Sequence, residues 1–257
     1  CSISRIPTKP PTTKEEAILQ AKNSLLSTLA KPLQNPKLTG KFKKLKQPRY
    51  RVEIPVIDDS VSSLSELALQ VFDEMPVRKK AKILLLWPNG ESTQTASNAT
   101  GILNMDLSSW VLDKGVISPD LAVFLSPKAS QLEIIKTVSD SLYPKPLVIF
   151  NPQWSFEEES DLGEMGRFVG SFQVVYSFMG LEVRGVVSKR RGVIFKHGNE
   201  MWDVFVEEEG DKEMRLVSSF KTRPSMGEVE NVLYNLMAMN SPITKSAKFF
   251  KDLVSNV

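Results

Sequence analysis

Residues 147–154 read Leu-Val-Ile-Phe-Asn-Pro-Gln-Trp, four consecutive apolar side chains followed closely by a proline. A continuous apolar run of this length is typical of a β-strand that is covered on both faces. Proline cannot donate a hydrogen bond to a neighbouring strand, so Pro152 marks where this strand leaves its sheet. The same arrangement recurs in three other segments: Tyr50–Ile54 before Pro55, Lys82–Trp87 before Pro88, and Leu121–Leu125 before Pro127.

Helix-start signals lie between these apolar runs and on both sides of them. In each signal a Ser or Thr precedes a Glu by three residues, which is the spacing of a capping box. The pairs are Thr13 with Glu16, Ser63 with Glu66, Ser130 with Glu133, and Ser225 with Glu228. Ser92–Gly115 is interpreted as a polar loop with one helical turn, and a last short helix is predicted after Pro242. Strands that alternate with helices predict an α/β fold, with a mostly parallel sheet flanked by helices in the first half of the chain.

The second half of the chain has short apolar segments that are separated by turn residues, with no helix pattern between them. The predicted strands are Gln173–Phe178, Glu182–Ser188, Val193–Lys196, Met201–Glu207 and Met214–Lys221. We expect them to form an antiparallel β-meander, followed by C-terminal helices. The predicted organisation is a flexible N-terminal segment (1–11) and a single α/β domain (12–257), divided into a βαβ part (12–155) and an antiparallel part (156–257).

Composition limits the chemistry that the chain can carry. Its 257 residues are 41% apolar and 25% charged, with a formal net charge of +3, which excludes a disordered chain. One cysteine excludes a disulfide framework, and the single histidine, His197, argues against histidine-based metal binding or catalysis. The loop Pro88–Thr93 lacks the lysine and the second glycine of a phosphate-binding loop. We therefore predict no catalytic residue, no cofactor and no metal.

Polar and aromatic residues follow the predicted parallel strands. Because the carboxyl ends of parallel strands meet at one edge of a sheet, where open α/β sheets bind ligands, these residues are candidates for a partner- or ligand-binding surface. They are Asp58, Asp59, Asn89, Asn151, Gln153, Trp154 and Phe156. The alternative is that each proline simply ends its strand and the loops carry no function.

Basic residues are concentrated in blocks. The segment Lys37–Arg51 holds seven basic residues and no acidic one, and Lys189-Arg190-Arg191 forms another block. Such blocks can be solvated loops, or they can attract proteins, anionic lipid head groups or nucleic acid. The predicted basic surface consists of Lys41, Lys43, Lys44, Lys46, Arg190 and Arg191.

Several longer segments together carry a resemblance to a family. They are Thr13–Ala21, Arg51–Pro55, Asp120–Pro127, Leu147–Trp154 and Gly166–Phe178, followed by a strand near Met201-Trp202. Over most of residues 12–240 the chain resembles a family of protein domains that occurs in plants, algae and cyanobacteria. The function of these domains is not characterised. That family includes the low photosystem II accumulation proteins and the C-terminal extension of a chloroplast adenylate kinase.

The resemblance implies a non-enzymatic chloroplast auxiliary factor that helps to insert a chlorophyll-binding core antenna protein into photosystem II. It also implies a stromal protein, peripherally associated with the thylakoid membrane, whose partners are thylakoid membrane proteins and insertion factors. Removal of a transit peptide would suit a start at Cys1. Two alternatives stay open: a small-ligand or nucleotide-binding, enzyme-like domain that uses the carboxyl edge of the sheet, and a plastid RNA-binding protein.

Overall fold

The computed structural model describes residues 8–34, 47–56, 58, 60–73, 81–95, 102–112, 118–184, 189–208 and 213–239. Contacts along the chain group into two compact units. The large unit is Pro11–Phe178 with Lys196–Asn199, and the small unit is Cys1–Pro10, Met179–Phe195 and Glu200–Val257. The single domain of residues 12–257 stays a prediction.

A parallel sheet forms the centre of the large unit. Its strands are β1 (Arg49–Glu53), β2 (Ile83–Trp87), β3 (Ile102–Asp106), β4 (Leu121–Leu125), β5 (Leu147–Phe150) and the first half of β6 (Gln173–Arg184). They lie in the order β3-β2-β4-β5-β1-β6, and each adjacent pair is parallel. Every residue of β2, β4 and β5 is buried, as expected for strands that helices cover on both faces. The prediction of a mostly parallel sheet flanked by helices is therefore confirmed.

Six α-helices accompany this sheet among the described residues of the large unit. They are α1 (Lys14–Gln34), α2 (Val61–Phe72), α3 (Gly90–Thr95), α4 (Leu107–Leu112), α5 (Leu132–Ser141) and α6 (Glu164–Val169). Two short 3-10 helices, Ala129–Gln131 and Glu157–Leu162, follow β4 and β5. Apolar side chains of α4, α5 and α6 pack with those of β2, β4 and β5 in one buried cluster.

Strand β3 corrects the interpretation of Ser92–Gly115 as a loop with one helical turn. The helical turn is present as α4, but Ile102–Asp106 in front of it pairs in parallel with β2 along its whole length. This strand is the first in the sheet order, and Ile102 is its only buried residue. An edge position tolerates the polar Asn104 and Asp106, which hid the strand from a search for continuous apolar runs.

Two of the four predicted helix starts are confirmed. The backbone N–H of Glu16 donates to the hydroxyl of Thr13 at 3.1 Å, where α1 begins. In front of α7 (Met226–Met239), the N–H of Glu228 donates to Ser225 Oγ at 3.3 Å, and the Ser225 N–H donates to the Glu228 carboxylate at 2.9 Å. Both pairs satisfy backbone groups that a helix N-terminus leaves without partners.

The other two predicted starts are wrong by a few residues. Helix α2 begins at Val61, and its N-cap is Ser60, not Ser63. Before α5, the chain first forms the 3-10 helix Ala129–Gln131, and the side chain of Gln131 accepts the N–H of Lys128 at 3.0 Å. In both cases another polar side chain takes the capping role: the hydroxyl of Ser60 before α2, and the amide of Gln131 at the 3-10 helix before α5.

In its described residues the small unit contains antiparallel strands and the helix α7. Its elements are the second half of β6, most of β7 (Lys189–His197), β8 (Trp202–Glu207), β9 (Met214–Phe220) and α7. Strands β8 and β9 are antiparallel, from Trp202 opposite Phe220 to Glu207 opposite Met214. The predicted break at Met179-Gly180 is wrong, because β6 continues through it to Arg184. Ser188 and the helix predicted after Pro242 lie outside the described residues.

Candidate functional site

The carboxyl ends of β1, β2, β4 and β5 point to the same edge of the parallel sheet, as predicted. We call the loops that follow these strands the carboxyl edge; in the described residues they are 54–56, 58, 60, 88–89, 126–128 and 151–156. The edge contains most of the residues that sequence analysis proposed as a site.

Asp58 serves the start of α2. Its carboxylate accepts hydrogen bonds from the hydroxyl of Ser63 at 2.6 Å and from the backbone N–H of Ser60 at 2.9 Å. The bond from Ser63, followed by those from Ser60, lowers the pKa of Asp58 below its usual value. The carboxylate is therefore engaged with its own loop. Asp59 lies outside the described residues.

Asn89 has the corresponding role at the start of α3. Its side-chain oxygen accepts the backbone N–H of Ser92 at 2.9 Å and the Ser92 hydroxyl at 2.7 Å. Gln153 is exposed, and its amide donates to Ser126 Oγ at 3.2 Å. These bonds fix the loops after β2 and β4 in one conformation.

Asn151 joins two neighbouring strands where they end. Its side-chain oxygen accepts the N–H of Ile54 at 2.7 Å, and its side-chain N–H donates to the Ile54 carbonyl at 2.9 Å. Its φ is +48°, in the left-handed region that Asn tolerates better than most residues. Ser126, at the end of β4, has a φ of +43°. Two adjacent strands thus leave the sheet through left-handed residues.

The two aromatic candidates differ in exposure. Trp154 is only 5% exposed, which corrects the expectation that its ring is a surface contact for a partner. Its side chain packs in the core cluster with Phe168, Val169 and Phe172. Phe156 is half-buried, immediately before the 3-10 helix Glu157–Leu162. Of the two rings, that of Phe156 is the less buried.

The basic candidates are only partly described. Lys41, Lys43, Lys44 and Lys46 and the side chain of Arg190 lie outside the described residues. Arg191 is exposed, and one of its guanidinium nitrogens lies 3.2 Å from the carboxylate of Glu207. That pairing reduces the positive charge which Arg191 offers to a partner.

Sequence analysis missed a buried ionic cluster in the large unit, centred on Arg51. The Arg51 side chain is 4% exposed and pairs with the carboxylate of Glu159 in the 3-10 helix. Its Nε lies 2.5 Å from a Glu53 oxygen, without the alignment of a hydrogen bond. The other Glu53 oxygen accepts the hydroxyl of Ser177 at 2.5 Å, from the paired position on β6. One cation thus lies among carboxylates from two different segments.

The sequence signal for this cluster is the triplet Arg51-Val52-Glu53. Alternate residues of a strand face the same side, so opposite charges two apart on a buried strand predict an intramolecular ion pair. The cluster ties the 3-10 helix to the sheet, because Arg51 belongs to β1 and Glu159 to Glu157–Leu162. Arg49, on the same face of β1, has its guanidinium 5.0 Å from the ring centre of Phe168 in α6.

Trp154 beside this cluster has an unusual polar group. Its indole N–H is buried and finds no hydrogen-bond acceptor among the described residues. The guanidinium carbon of Arg51 lies 5.8 Å from the indole ring centre, a cation–π distance. Within the described part of the chain, no three or more His, Cys, Asp or Glu side chains are grouped to hold a metal ion. The described helices include none that is long and apolar enough to cross a bilayer.

The large unit is thus an α/β domain with a parallel sheet, an ordered carboxyl edge and a buried arginine that fixes the segment after β5. A family model described as a domain of unknown function (DUF1995) matches residues 11–231, and the chain belongs to this family. A search of curated proteins finds no match to the chain. Membership of a family without an assigned domain function is therefore confirmed, and membership among photosystem II accumulation factors stays a prediction.

Proposed function

We propose that this protein is a non-enzymatic chloroplast auxiliary factor for photosystem II assembly. It would help to insert a chlorophyll-binding core antenna protein through protein–protein contacts at the thylakoid surface. It would act from the stroma, with peripheral contact to the membrane. The proposal rests on the resemblance of the chain to the family that includes the low photosystem II accumulation proteins. It rests also on the hydrogen bonding and exposure of the residues at the carboxyl edge.

The observation that supports the proposal is that polar side chains of the carboxyl edge form hydrogen bonds within their own loops and strand ends. Asp58, Asn89 and Asn151 all hydrogen-bond to backbone groups near the strand ends. These bonds fix the loops before any partner arrives, which lowers the ordering cost of association. A rigid edge whose polar groups are engaged locally suits recognition of another protein better than proton transfer or nucleophilic attack.

The exposed part of the edge has the mixed chemistry of a transient protein interface. Val56 is 39% exposed and Phe156 is half-buried, so both present apolar surface. Glu157 and Glu158 are exposed next to Phe156. Membrane proteins concentrate Lys and Arg in the short loops on the side from which they are inserted. An acidic patch beside an apolar contact therefore fits a basic loop of a thylakoid membrane protein.

A pull-down tests the proposal. The full chain, immobilised, is incubated with detergent-solubilised thylakoids that contain newly labelled core antenna protein, at low and at high salt. We expect Phe156→Ala and Glu157→Lys to reduce recovery of the labelled protein several-fold. The control Tyr234→Ala removes an aromatic ring that is 69% exposed on α7, and it should leave recovery unchanged.

Three results would overturn the proposal. The first is that wild-type protein recovers no core antenna protein, and the second is that Phe156→Ala and Glu157→Lys both recover as much as wild type. Recovery that ribonuclease abolishes would favour the RNA-binding alternative instead. Salt-dependent recovery that both edge variants weaken supports the proposed contact.

A further inference from the structure

The large unit has an open cavity of about 440 Å³, and its described lining residues all belong to this unit. It lies between the C-terminal ends of α4 and α5 and the residues that lead into β4. The lining residues are Trp110, Val111, Ser118, Pro119, Thr137, Val138, Ser141, Leu142, Tyr143 and Lys145. The cavity is thus at the amino end of β4, whereas the carboxyl edge follows the other end of that strand. Its volume falls in the range of small-molecule sites, roughly 300–1,000 Å³.

Two hydroxyl groups of the mostly apolar walls, those of Ser141 and Thr137, already have partners. The Ser141 hydroxyl donates to the Val138 carbonyl at 2.7 Å and accepts the Trp110 indole N–H at 3.3 Å. The Thr137 hydroxyl donates to the Glu133 carbonyl at 3.0 Å. A ligand therefore meets the ring of Trp110 and aliphatic side chains, and it is not required to satisfy buried polar groups of the wall.

The charge at the cavity is balanced. Among the described lining residues Lys145 is the charged one, and its ammonium lies 3.8 Å from the carboxylate of Asp120. Asp120 also accepts the backbone N–H of Lys82 at 3.1 Å, which holds the carboxylate in place. An anionic ligand would have to compete with Asp120 for the lysine, and a cationic ligand would meet the lysine itself. The site therefore favours an uncharged ligand.

Apolar surface continues outside the cavity. Tyr143, one of the lining residues, is 50% exposed, and Leu112, next to the lining residue Val111, is 82% exposed. Single exposed apolar side chains are common on protein surfaces, so these two matter here only for their place beside the cavity. Tyr143 extends the apolar wall toward solvent, where a ligand longer than the cavity could contact it.

We propose that this cavity binds an uncharged, largely apolar small molecule with a ring or chain body that packs against Trp110. This is a ligand site separate from the partner contact proposed for the carboxyl edge, and it does not depend on that contact. Apolar burial supplies the binding free energy, and the rings of Trp110 and Tyr143 provide the largest apolar surfaces for it.

The test compares two fluorescent probes that share one ring system. N-phenyl-1-naphthylamine is uncharged, and 8-anilinonaphthalene-1-sulfonate carries an added sulfonate. We expect the uncharged probe to bind the folded full chain saturably, with one probe per chain and an affinity at least tenfold higher than that of the sulfonated probe. No saturable binding of the uncharged probe, or tighter binding of the sulfonated one, would overturn the proposal.

Two variants locate the probe. Ser118→Trp and Thr137→Trp each add a large ring at an exposed position on a different wall of the cavity, so they should fill it without disturbing the core. We expect each to weaken binding of the uncharged probe at least tenfold. Ser130→Trp, the same exchange at an exposed residue near the carboxyl edge, is the matched control and should bind as wild type does.

Folding and function are checked in the same series. Urea unfolding of each variant, measured in the presence of the probe, shows whether the chain is folded under the conditions of the binding assay. Phe156→Ala, which tests the proposed partner contact, should leave probe binding unchanged, so failure of one proposal is distinguishable from failure of the other. If folded Ser118→Trp and Thr137→Trp bind the probe as tightly as wild type, the probe occupies another place and the proposed site is wrong.

Discussion

The guanidinium of Arg51 in β1 lies over the indole of Trp154, with 5.8 Å between the guanidinium carbon and the ring centre. Arg51 also pairs with Glu159, which belongs to the 3-10 helix Glu157–Leu162 that follows Trp154. One side chain thus holds both the residue at the exit of β5 and the helix that comes next. The order of the loop beside Phe156 depends on this buried cation.

Replacement of Arg51 by methionine should destabilise the protein strongly. The change leaves the largely buried carboxylates of Glu53 and Glu159 without their cation, and breaking a buried pair in this way costs about 3–5 kcal/mol. The measurement is the free energy of unfolding in urea. The control Arg191→Met removes an exposed partner of Glu207 and should cost less than about 1 kcal/mol. Equal losses would show that the Arg51 cluster contributes no more than a surface pair.

The stability of the protein should depend both on the side-chain hydrogen bonds of Asn151 and on its tolerance of a positive φ. Asn151→Gly loses the two hydrogen bonds to Ile54, each worth about 1 kcal/mol, but keeps access to positive φ. Asn151→Ala loses the same bonds and adds a left-handed strain of about 1 kcal/mol. We therefore expect the alanine variant to be the less stable of the two in urea unfolding. The reverse order would contradict a role for the left-handed conformation.

Two tryptophans offer a matched comparison of hydrogen bonding. The buried indole N–H of Trp87 donates to Asn104 at 3.0 Å, whereas that of Trp154 has no acceptor among the described residues. Replacement of an unpaired N–H by a carbon edge removes a desolvation cost. Trp154→Phe should therefore destabilise the chain less than Trp87→Phe, by about 1–2 kcal/mol. Equal thermal and urea stabilities of the two variants would argue that an acceptor reaches Trp154 in solution.

Tyr176 should make the protein sensitive to alkali. Burial, with a smaller contribution from the charge of Glu16, raises the pKa of Tyr176 well above its usual 10.0. The unfolded chain loses this proton near pH 10.0 while the folded chain keeps it, so the stabilisation present below pH 10.0 is lost as the pH rises further.

The measurement is the free energy of unfolding as a function of pH between neutrality and alkali. Tyr176→Phe should flatten the alkaline decline, and the control Tyr234→Phe, at a side chain that is 69% exposed, should leave it as in wild type. An unchanged slope in Tyr176→Phe would contradict a buried, neutral phenol. Burial also raises the pKa of Tyr50, so this residue contributes to the decline that remains.

The parallel sheet could be predicted because its central strands carry a strong signal. Leu121–Leu125 and Leu147–Phe150 are apolar at every position, and helices cover both of their faces. The prolines after them correctly locate the carboxyl edge, and with it the positions of Asn89 and Asn151 at strand ends. Local sequence sufficed here because burial and strand termination are both local properties.

The remaining features depend on contacts between distant segments. Arg51 and Glu159 are 108 residues apart, and no short-range pattern predicts that they meet. Trp154 lies after the end of β5, as Asn151 and Gln153 do, so the sequence does not distinguish it from these less buried residues. Its burial depends on packing with Phe168 and Val169 of α6. Strand β3 was missed because an edge strand does not need apolar side chains on both faces.

The path of the chain through β6 and β7 has a consequence for the inheritance of this protein. Residues pass from one compact unit to the other at four points in the sequence, after Pro10, Phe178, Phe195 and Asn199. Neither unit is therefore encoded by one uninterrupted stretch of gene. A single recombination or duplication event cannot transfer one complete unit without the other. We therefore expect the two units to have been copied, lost and fused to other proteins together.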